Sequence, residues 1–259
     1  MRFVLAFAFA IAAFSISVNS QDATLLVPAI ITFGDSVVDV GNNDYIHTIF
    51  KANYPPYGRD FKNKEATGRF CNGKLATDIT GKSLLLGANF ASAGAGYDDH
   101  TSLLSHVIPL SQQLQYYKEY QAKLTKVAGL TWLRSKENRS DFTSTTRINT
   151  DAQQFNKKIN SATTELQKQL SGLKIVVFDV FKPLYDIVAD PKKNGFTEAT
   201  RGCCGTGTVE TTSLLCNPKS IGTCPNATQY VFWDSVHPSE AANQILADSL
   251  ILQGIALIS

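Results

Sequence analysis

The short apolar run Ala29–Phe33, which ends in Gly34-Asp35-Ser36, is the feature that most constrains the fold of this chain. Apolar and β-branched side chains follow one another here without polar alternation, as is typical of a strand that is buried on both faces. Such strands belong to parallel sheets with helices on both sides. The Gly-Asp pair ends the strand, so a turn or short helix is expected to present Ser36 to solvent.

The rest of the chain alternates further strand and helix patterns, which predicts one α/β domain. We expect strands at Leu84–Ser92, which runs into a loop of small residues ending at Gly96, and at Lys174–Phe181. The polar interval Gly129–Arg147 shows no period and is expected to be loop or disorder. Helices are expected at Ser111–Lys126, Asp151–Leu170, Pro183–Val188 and Ser239–Leu252, the last with Ser239 as its N-cap.

The first twenty residues have the pattern of a secretory signal peptide. Arg2 is followed by the apolar run Phe3–Ile16, and the residues before Gln21 suit a cleavage site. The alternative is a membrane anchor, but the run is shorter than the roughly 20 residues that a spanning helix needs. We therefore expect a secreted mature chain, residues 21–259, that forms a single domain without a transmembrane segment.

The composition and net charge of the chain indicate which partners are not expected. The chain has 259 residues, of which 44% are hydrophobic, enough to bury the core of one ordinary domain. Its 24 basic and 22 acidic side chains give a net charge of only +2, and no basic block stands out. Nucleic acid is therefore not an expected partner, because such binding needs a concentrated basic surface.

Five cysteines are present, and four of them lie in one glycine-rich stretch. In a secreted chain they are expected to form disulfides. Adjacent Cys203 and Cys204 do not suit a bond to each other, so each is expected to pair with Cys216 or Cys224, in an order that the sequence leaves open. A zinc site is the alternative, but the spacing is not C-x-x-C and no histidine is near. Cys71 is left over.

Two N-glycosylation sequons are present, at Asn138 and Asn226. Both fit the Asn-x-Ser/Thr rule and would carry glycans on the surface of a secreted protein. The second lies a few residues before Asp234, so its use would constrain that face of the molecule.

Ser36, Asp234 and His237 together supply the parts of a serine hydrolase. A serine hydroxyl becomes a good nucleophile when a base takes its proton, and a carboxylate holds the imidazole that serves as this base. Asp234 and His237 are three residues apart and can point to the same side of a turn. Each piece also has a plainer interpretation, as a turn or a surface histidine. No G-x-S-x-G motif is present, so the nucleophile elbow of the α/β-hydrolases is excluded.

Longer strings around these residues carry a family resemblance. They are Phe33–Asn43, Asn89–Gly96 and Phe232–Pro238, together with Ala66–Lys74 and Gly202–Glu210. The first three resemble the first, second and last signature blocks of the plant GDSL esterase/lipases, a branch of the SGNH hydrolases, and the other two are similar to segments of the same family. The resemblance covers nearly the whole mature chain.

The resemblance implies a three-layer α/β/α fold with a flavodoxin-like parallel sheet. It implies hydrolysis of small-molecule or lipid acyl esters through an acyl-enzyme, with Ser36 as nucleophile, His237 as base and Asp234 as the acid that orients it. The backbone N–H groups of Ser36 and Gly94 would bind the oxyanion. No metal and no organic cofactor is implied, and the expected location is outside the cell, including the cell wall.

The chain departs from this family around residues 130–147, where it is shorter than family members, and a smaller gap follows Thr80. The third signature block, a Gly-x-Asn-Asp motif that follows a central strand and whose Asn completes the oxyanion hole, is missing from the shortened stretch. The chain therefore resembles an internally shortened member that lacks central strands. Losing one oxyanion donor costs on the order of 10²- to 10³-fold in rate. We expect an esterase with impaired activity; the alternative is an inactive truncated product or a secreted binding protein.

Overall fold

The structure, a computed structural model, describes residues 30–81, 87–128, 145–169, 177–208 and 215–255. The expected signal peptide and Asn138 lie outside the described residues. The helices of the described part are α1 (Ala76–Gly81), α2 (Asp99–Ser105), α3 (Leu110–Ala128), α4 (Thr145–Gln169), α5 (Phe181–Ala189) and α6 (Glu240–Ile255). Its strands are β1 (Ile30–Thr32), β2 (Gly87–Asn89), β3 (Glu198–Gly202) and β4 (Tyr230–Phe232).

The described strands form two parallel pairs, which makes this an α/β protein. β1 pairs with β2, with Ile30 opposite Gly87, and β3 pairs with β4, with Glu198 opposite Tyr230. The expected strand at Ala29–Phe33 and the described part of the one at Leu84–Ser92 are therefore confirmed, although each is shorter than expected. Within the described residues the two pairs are separate sheets, and a loop rich in site residues follows β1, β2 and β4.

The expected third strand, Lys174–Phe181, is wrong in its described part. Residues 177–180 have no regular structure, and Phe181 begins α5. The side chain of Gln253 in α6 accepts from the Asp179 N–H at 2.7 Å and donates to the Asp179 carbonyl at 3.0 Å. Because no described strand lies beside this segment, a side chain takes the hydrogen bonds that a strand neighbour would otherwise supply. Phe178 is correspondingly 43% exposed.

The expected helices are confirmed, with shifted ends. α3, α4 and α5 cover the ranges expected at Ser111, Asp151 and Pro183, and α6 begins directly after its expected cap. The Ser239 hydroxyl accepts from the Ala242 N–H at 3.2 Å, which satisfies one of the free donors of the first turn. Because α4 begins at Thr145, the loop expected for Gly129–Arg147 is wrong at its last three residues, and the remainder lies outside the described residues.

Two apolar clusters hold the described parts together. One lies between α5, β4 and α6 and includes Ile187, Val231 and Leu246. The other combines aromatic rings with both disulfides and lies directly under the residues discussed below. Its buried members are Ala52, Tyr57, Phe70, Ala93, Cys203, Cys204, Cys216, Cys224, Ala227 and Trp233. Burying a large side chain contributes about 1.5–3 kcal/mol, so the aromatic rings dominate this second cluster.

None of the helices that the structure describes is both long enough and apolar enough to cross a membrane.

Candidate active site

The turn after β1 is fixed by a buried glutamine. The Gln113 side chain in α3 accepts from the Gly34 N–H at 3.0 Å and donates to the Gly34 carbonyl at 2.9 Å. Gly34 has φ +143°, a conformation that L-residues rarely adopt. Asp35 then accepts from three N–H groups that follow Ser36, those of Val37, Val38 and Asp39. The turn therefore holds Ser36 at the carboxyl end of β1, as expected.

The second half of the site is the tight turn that follows β4. One oxygen of Asp234, Oδ1, accepts from the N–H groups of Val236 and His237, each at 2.8 Å. The Trp233 N–H donates to the His237 carbonyl at 2.8 Å and closes the turn. These bonds bring the carboxylate and the imidazole of the same turn together, as the spacing of three residues predicts.

The two turns meet in a continuous hydrogen-bonded series. His237 Nδ1 lies 2.8 Å from Asp234 Oδ2 and 3.0 Å from Oδ1, and His237 Nε2 lies 2.7 Å from Ser36 Oγ. Because an ionised carboxylate can only accept, the ring proton belongs on Nδ1, and Nε2 accepts from the serine hydroxyl. Asp234 and His237 are buried, while Ser36 is half-buried at the surface.

The loop that contains Gly94 is tied to the serine turn by two buried polar side chains. The Asp39 carboxylate accepts from the Gly41, Asn42 and Ala93 N–H groups at 2.7–2.8 Å. Burial raises the pKa of Asp39, and these backbone donors oppose the rise. The Asn43 side chain donates to the Ala93 carbonyl at 2.8 Å. Within the described part, the backbone N–H groups of Ser36 and Gly94 donate no hydrogen bond.

The cysteine-rich stretch packs against the Asp234 turn. The disulfides are Cys203–Cys224 and Cys204–Cys216, which confirms that each adjacent cysteine takes one distant partner. This pairing leaves none of the four as a thiolate ligand for zinc. A Cβ at Gly202 would lie 2.4 Å from the Asp234 carbonyl oxygen, so only glycine allows this close approach. Cys71 is the remaining cysteine and is buried beside α6.

Aromatic rings surround the imidazole and the carboxylate. The Phe70 ring lies 5.1 Å from the His237 ring, centroid to centroid, and excludes water from that face. The Tyr57 hydroxyl donates to Asp234 Oδ2 at 3.0 Å. The sequence analysis assigned no contact with Ser36, Asp234 or His237 to Tyr57, Gln113 or Asp39. Asp39 was in view inside the first signature string, but no pattern in the sequence singles out Tyr57 or Gln113.

Comparison with known proteins identifies the family. The family model described as GDSL-like lipase/acylhydrolase matches residues 117–250, which is more than half of the chain. The chain belongs to the GDSL family. It is 51% identical to the Arabidopsis thaliana protein named GDSL esterase/lipase APG, over 90% of this chain and 92% of that relative. It is 41% identical to GDSL esterase/lipase At5g22810 from the same plant, over 90% and 91%.

The alignment with GDSL esterase/lipase APG also shows that this chain is shorter than its relative. It runs over 326 residues, whereas the whole chain has 259. The relative therefore carries residues within the aligned region that have no counterpart here. The resemblance to an internally shortened member of the GDSL family is confirmed, and the relationship nevertheless extends over most of both chains.

Proposed function

We propose that the chain is a secreted serine ester hydrolase that cleaves acyl esters through a Ser36–His237–Asp234 triad. The observation that carries the proposal is the hydrogen-bonded series from Ser36 Oγ through both ring nitrogens to Asp234, with distances of 2.7 and 2.8 Å. The same order of nucleophile, base and orienting carboxylate recurs in serine hydrolases of unrelated folds. Membership of a family whose relatives are named esterase/lipases supports an ester as the substrate.

The reaction follows from the positions of the protons. His237 Nε2 takes the hydroxyl proton as Ser36 Oγ attacks the ester carbonyl carbon, and Asp234 stabilises the imidazolium that forms. The imidazolium then gives this proton to the alcohol oxygen, which leaves, and an acyl-enzyme remains. Water, deprotonated by the same imidazole, attacks the acyl carbonyl. The imidazolium then returns this proton to Ser36 Oγ as the bond from Oγ to the acyl carbon breaks and the acid is released. The enzyme returns to its starting state, and no step needs a cofactor.

The developing oxyanion needs hydrogen-bond donors beside Ser36. The N–H groups of Ser36 and Gly94 make no hydrogen bonds within the described residues and are the donors that we assign to the developing negative charge. Gly94 has φ +85° and its backbone packs on the Phe50 ring, which favours a glycine there. The Gly-x-Asn-Asp pattern occurs once in the sequence, at Gly41–Asp44 beside the serine turn, and not as a separate third block. Because that block would supply the third oxyanion donor, we expect turnover about 10²- to 10³-fold below that of a complete site.

A fluorophosphonate probe tests the proposal without knowledge of the substrate. The activated serine oxygen attacks phosphorus and displaces fluoride, so labelling reports the assembled triad. We expect the purified chain to be labelled and Ser36→Ala not to be. Ser235→Ala is the matched control, because the Ser235 hydroxyl is buried and makes no hydrogen bond among the described residues. Equal labelling of Ser36→Ala and the unmodified chain would contradict the assignment of the nucleophile.

The second candidate function is a catalytically inactive family product that persists as a secreted binding protein. Two observations favour it. The chain lacks residues that a relative carries, and the side chains of Phe178 and Val180, expected in a strand, are 43% and 41% exposed. The probe separates the two candidates. A folded, soluble chain that takes no label supports the inactive product.

Secretion is part of the proposal and has its own test, at the sequon of Asn226. This side chain is exposed, and its Oδ1 accepts from the Thr228 N–H at 3.1 Å at the start of a short 3₁₀ helix. We expect expression through a eukaryotic secretory pathway to add a glycan that a glycosidase removes. Asn226→Asp keeps the accepting oxygen but cannot be glycosylated, so its mass should fall by one glycan. If the unmodified chain and Asn226→Asp did not differ in mass by a glycan, use of this sequon would be contradicted.

A further inference from the structure

The buried Tyr57 hydroxyl makes a contact that the mechanism above does not use. It donates to Asp234 Oδ2 at 3.0 Å, and both residues are almost completely inaccessible to solvent. The other described donors to this carboxylate are the Val236 N–H, the His237 N–H and His237 Nδ1, all from the same turn. Within the described part, Tyr57 is therefore the contact that ties the carboxylate to a different region of the chain.

The hydroxyl remains a donor over the whole pH range of an assay. Burial raises the pKa of Tyr57 far above its ordinary value, and the charge of Asp234 and the hydrogen bond to it raise it further. A phenol that keeps its proton beside a carboxylate can only donate to it. The bond is charge-assisted, a class roughly twice as strong as bonds between neutral groups.

The segment that carries Tyr57 is itself held firmly. The Gly58 N–H donates to the Cys71 carbonyl at 2.9 Å, and Arg59 lies over the Trp233 ring and donates to the Cys224 carbonyl at 2.6 Å. The Tyr57 ring packs edge-on against Phe70, whose ring in turn packs on His237. Because the ring cannot shift without disturbing these contacts, its hydroxyl defines a fixed point for the carboxylate.

We propose that Tyr57 is a positioning residue for the hydrolytic reaction, one that holds Asp234 in place and shares its negative charge. Tyr57 does not touch the ester; it acts through Asp234 on the orientation and basicity of His237. The inference rests on the proposed triad and deepens it. It assigns to the loop that carries Tyr57 a task that Asp234 and His237 cannot perform from within their own turn.

The proposal has a pH signature with a definite sign. A carboxylate that donors partly neutralise stabilises an imidazolium less than a bare carboxylate does. Removing the Tyr57 hydroxyl should therefore favour protonated His237, which cannot act as a base. The acid limb of the kcat/KM profile should then move to higher pH.

The other titratable groups near the carboxylate do not produce this signature. Tyr54 and Cys71 face Asp234, and burial raises the pKa of each to about 12, with a smaller contribution from Asp234, so both stay neutral in the assay range. Glu240, at the start of α6, faces Cys71. Tyr57→Phe changes none of these groups.

The experiment compares Tyr57→Phe with Tyr54→Phe. The two rings are in edge-on contact, but the Tyr54 hydroxyl is buried without a hydrogen bond among the described residues. For Tyr57→Phe we expect kcat to fall about tenfold with KM changed less than twofold, and the acid limb to rise by roughly half a pH unit. Tyr54→Phe should keep the unmodified profile. Coincident profiles for Tyr57→Phe and the unmodified chain would overturn the proposal.

Two further measurements keep the inference separate from the proposed function and from folding. Ser36→Ala, assayed in parallel, must be inactive; if it hydrolyses normally, the triad itself fails. Proton NMR of the unmodified chain covers the case in which Tyr57→Phe does not fold. A slowly exchanging Tyr57 hydroxyl proton that moves with the titration of His237 supports the inference. Fast exchange of that proton with water would refute it.

Discussion

His237→Ala is expected to lower kcat/KM for any ester that the chain hydrolyses by on the order of 10⁴-fold or more. Among the residues that the structure describes, the imidazole is the one group that contacts both the Ser36 hydroxyl and the Asp234 carboxylate, at 2.7 and 2.8 Å. Without it the serine keeps its proton and attacks as a neutral alcohol, a weak nucleophile. Steady-state hydrolysis of a chromogenic short-chain ester, measured across about pH 5–9, gives kcat/KM for His237→Ala and for the unmodified chain, and the two values are compared.

A matched histidine substitution controls this measurement. His47 is exposed on the loop before Ile49, and His47→Ala removes an imidazole of the same size from the surface. We expect its kcat/KM to stay within about twofold of the unmodified value, because surface substitutions rarely disturb a distant site. If His237→Ala retained more than about a tenth of the activity, the base would have to be a different group, and the proposed mechanism would be wrong.

Removing the Cys203–Cys224 disulfide is expected to lower the free energy of unfolding by about 3 kcal/mol, the largest stability effect that we predict. The bond joins residues 21 apart in sequence, so it constrains a sizeable loop of the unfolded chain. The disulfide also holds neighbouring backbone that makes hydrogen bonds to the strand before the Asp234 turn. The Cys203 N–H donates to the Phe232 carbonyl, and the Cys204 N–H donates to the Trp233 carbonyl. Urea unfolding of Cys203→Ala/Cys224→Ala against the unmodified chain measures the loss.

Cys71→Ala distinguishes the loss of a disulfide from the loss of a cysteine. Cys71 is buried and unpaired, so its substitution removes a small apolar side chain and costs about 1 kcal/mol. Reducing agent should destabilise Cys71→Ala as much as it destabilises the unmodified chain, because both retain the two disulfides. A double variant no less stable than Cys71→Ala would show that the bond does not constrain the unfolded state as argued.

Local patterns in the sequence predicted the local features of the structure well. The β-branched run before Gly34 forms β1, Ser239 caps α6, and each adjacent cysteine pairs with a distant one. In each case the deciding interactions lie within a few residues or follow from simple exclusion, as with two neighbouring cysteines. The residues of the proposed triad could also be named from the sequence, because two short strings contain all three of them.

Features that depend on distant packing could not be predicted in the same way. The apolar segment at Lys174–Phe181 has the composition of a strand, yet a strand forms only where a neighbour supplies hydrogen bonds, and Gln253 supplies them instead. Gln113 is 79 residues from the glycine that it holds, and Tyr57 is 177 residues from Asp234. No period or motif marks either side chain, so only the folded arrangement identifies them.

The bracing of the site has a consequence for how a family of this kind can vary. Among the described hydrogen bonds, none that fixes Ser36, Asp234 or His237 comes from α4, Thr145–Gln169. A substitution on α4 would therefore leave these described bonds in place. Under the proposed mechanism, sequence change can accumulate on that helix while the contacts that activate the serine are inherited unchanged.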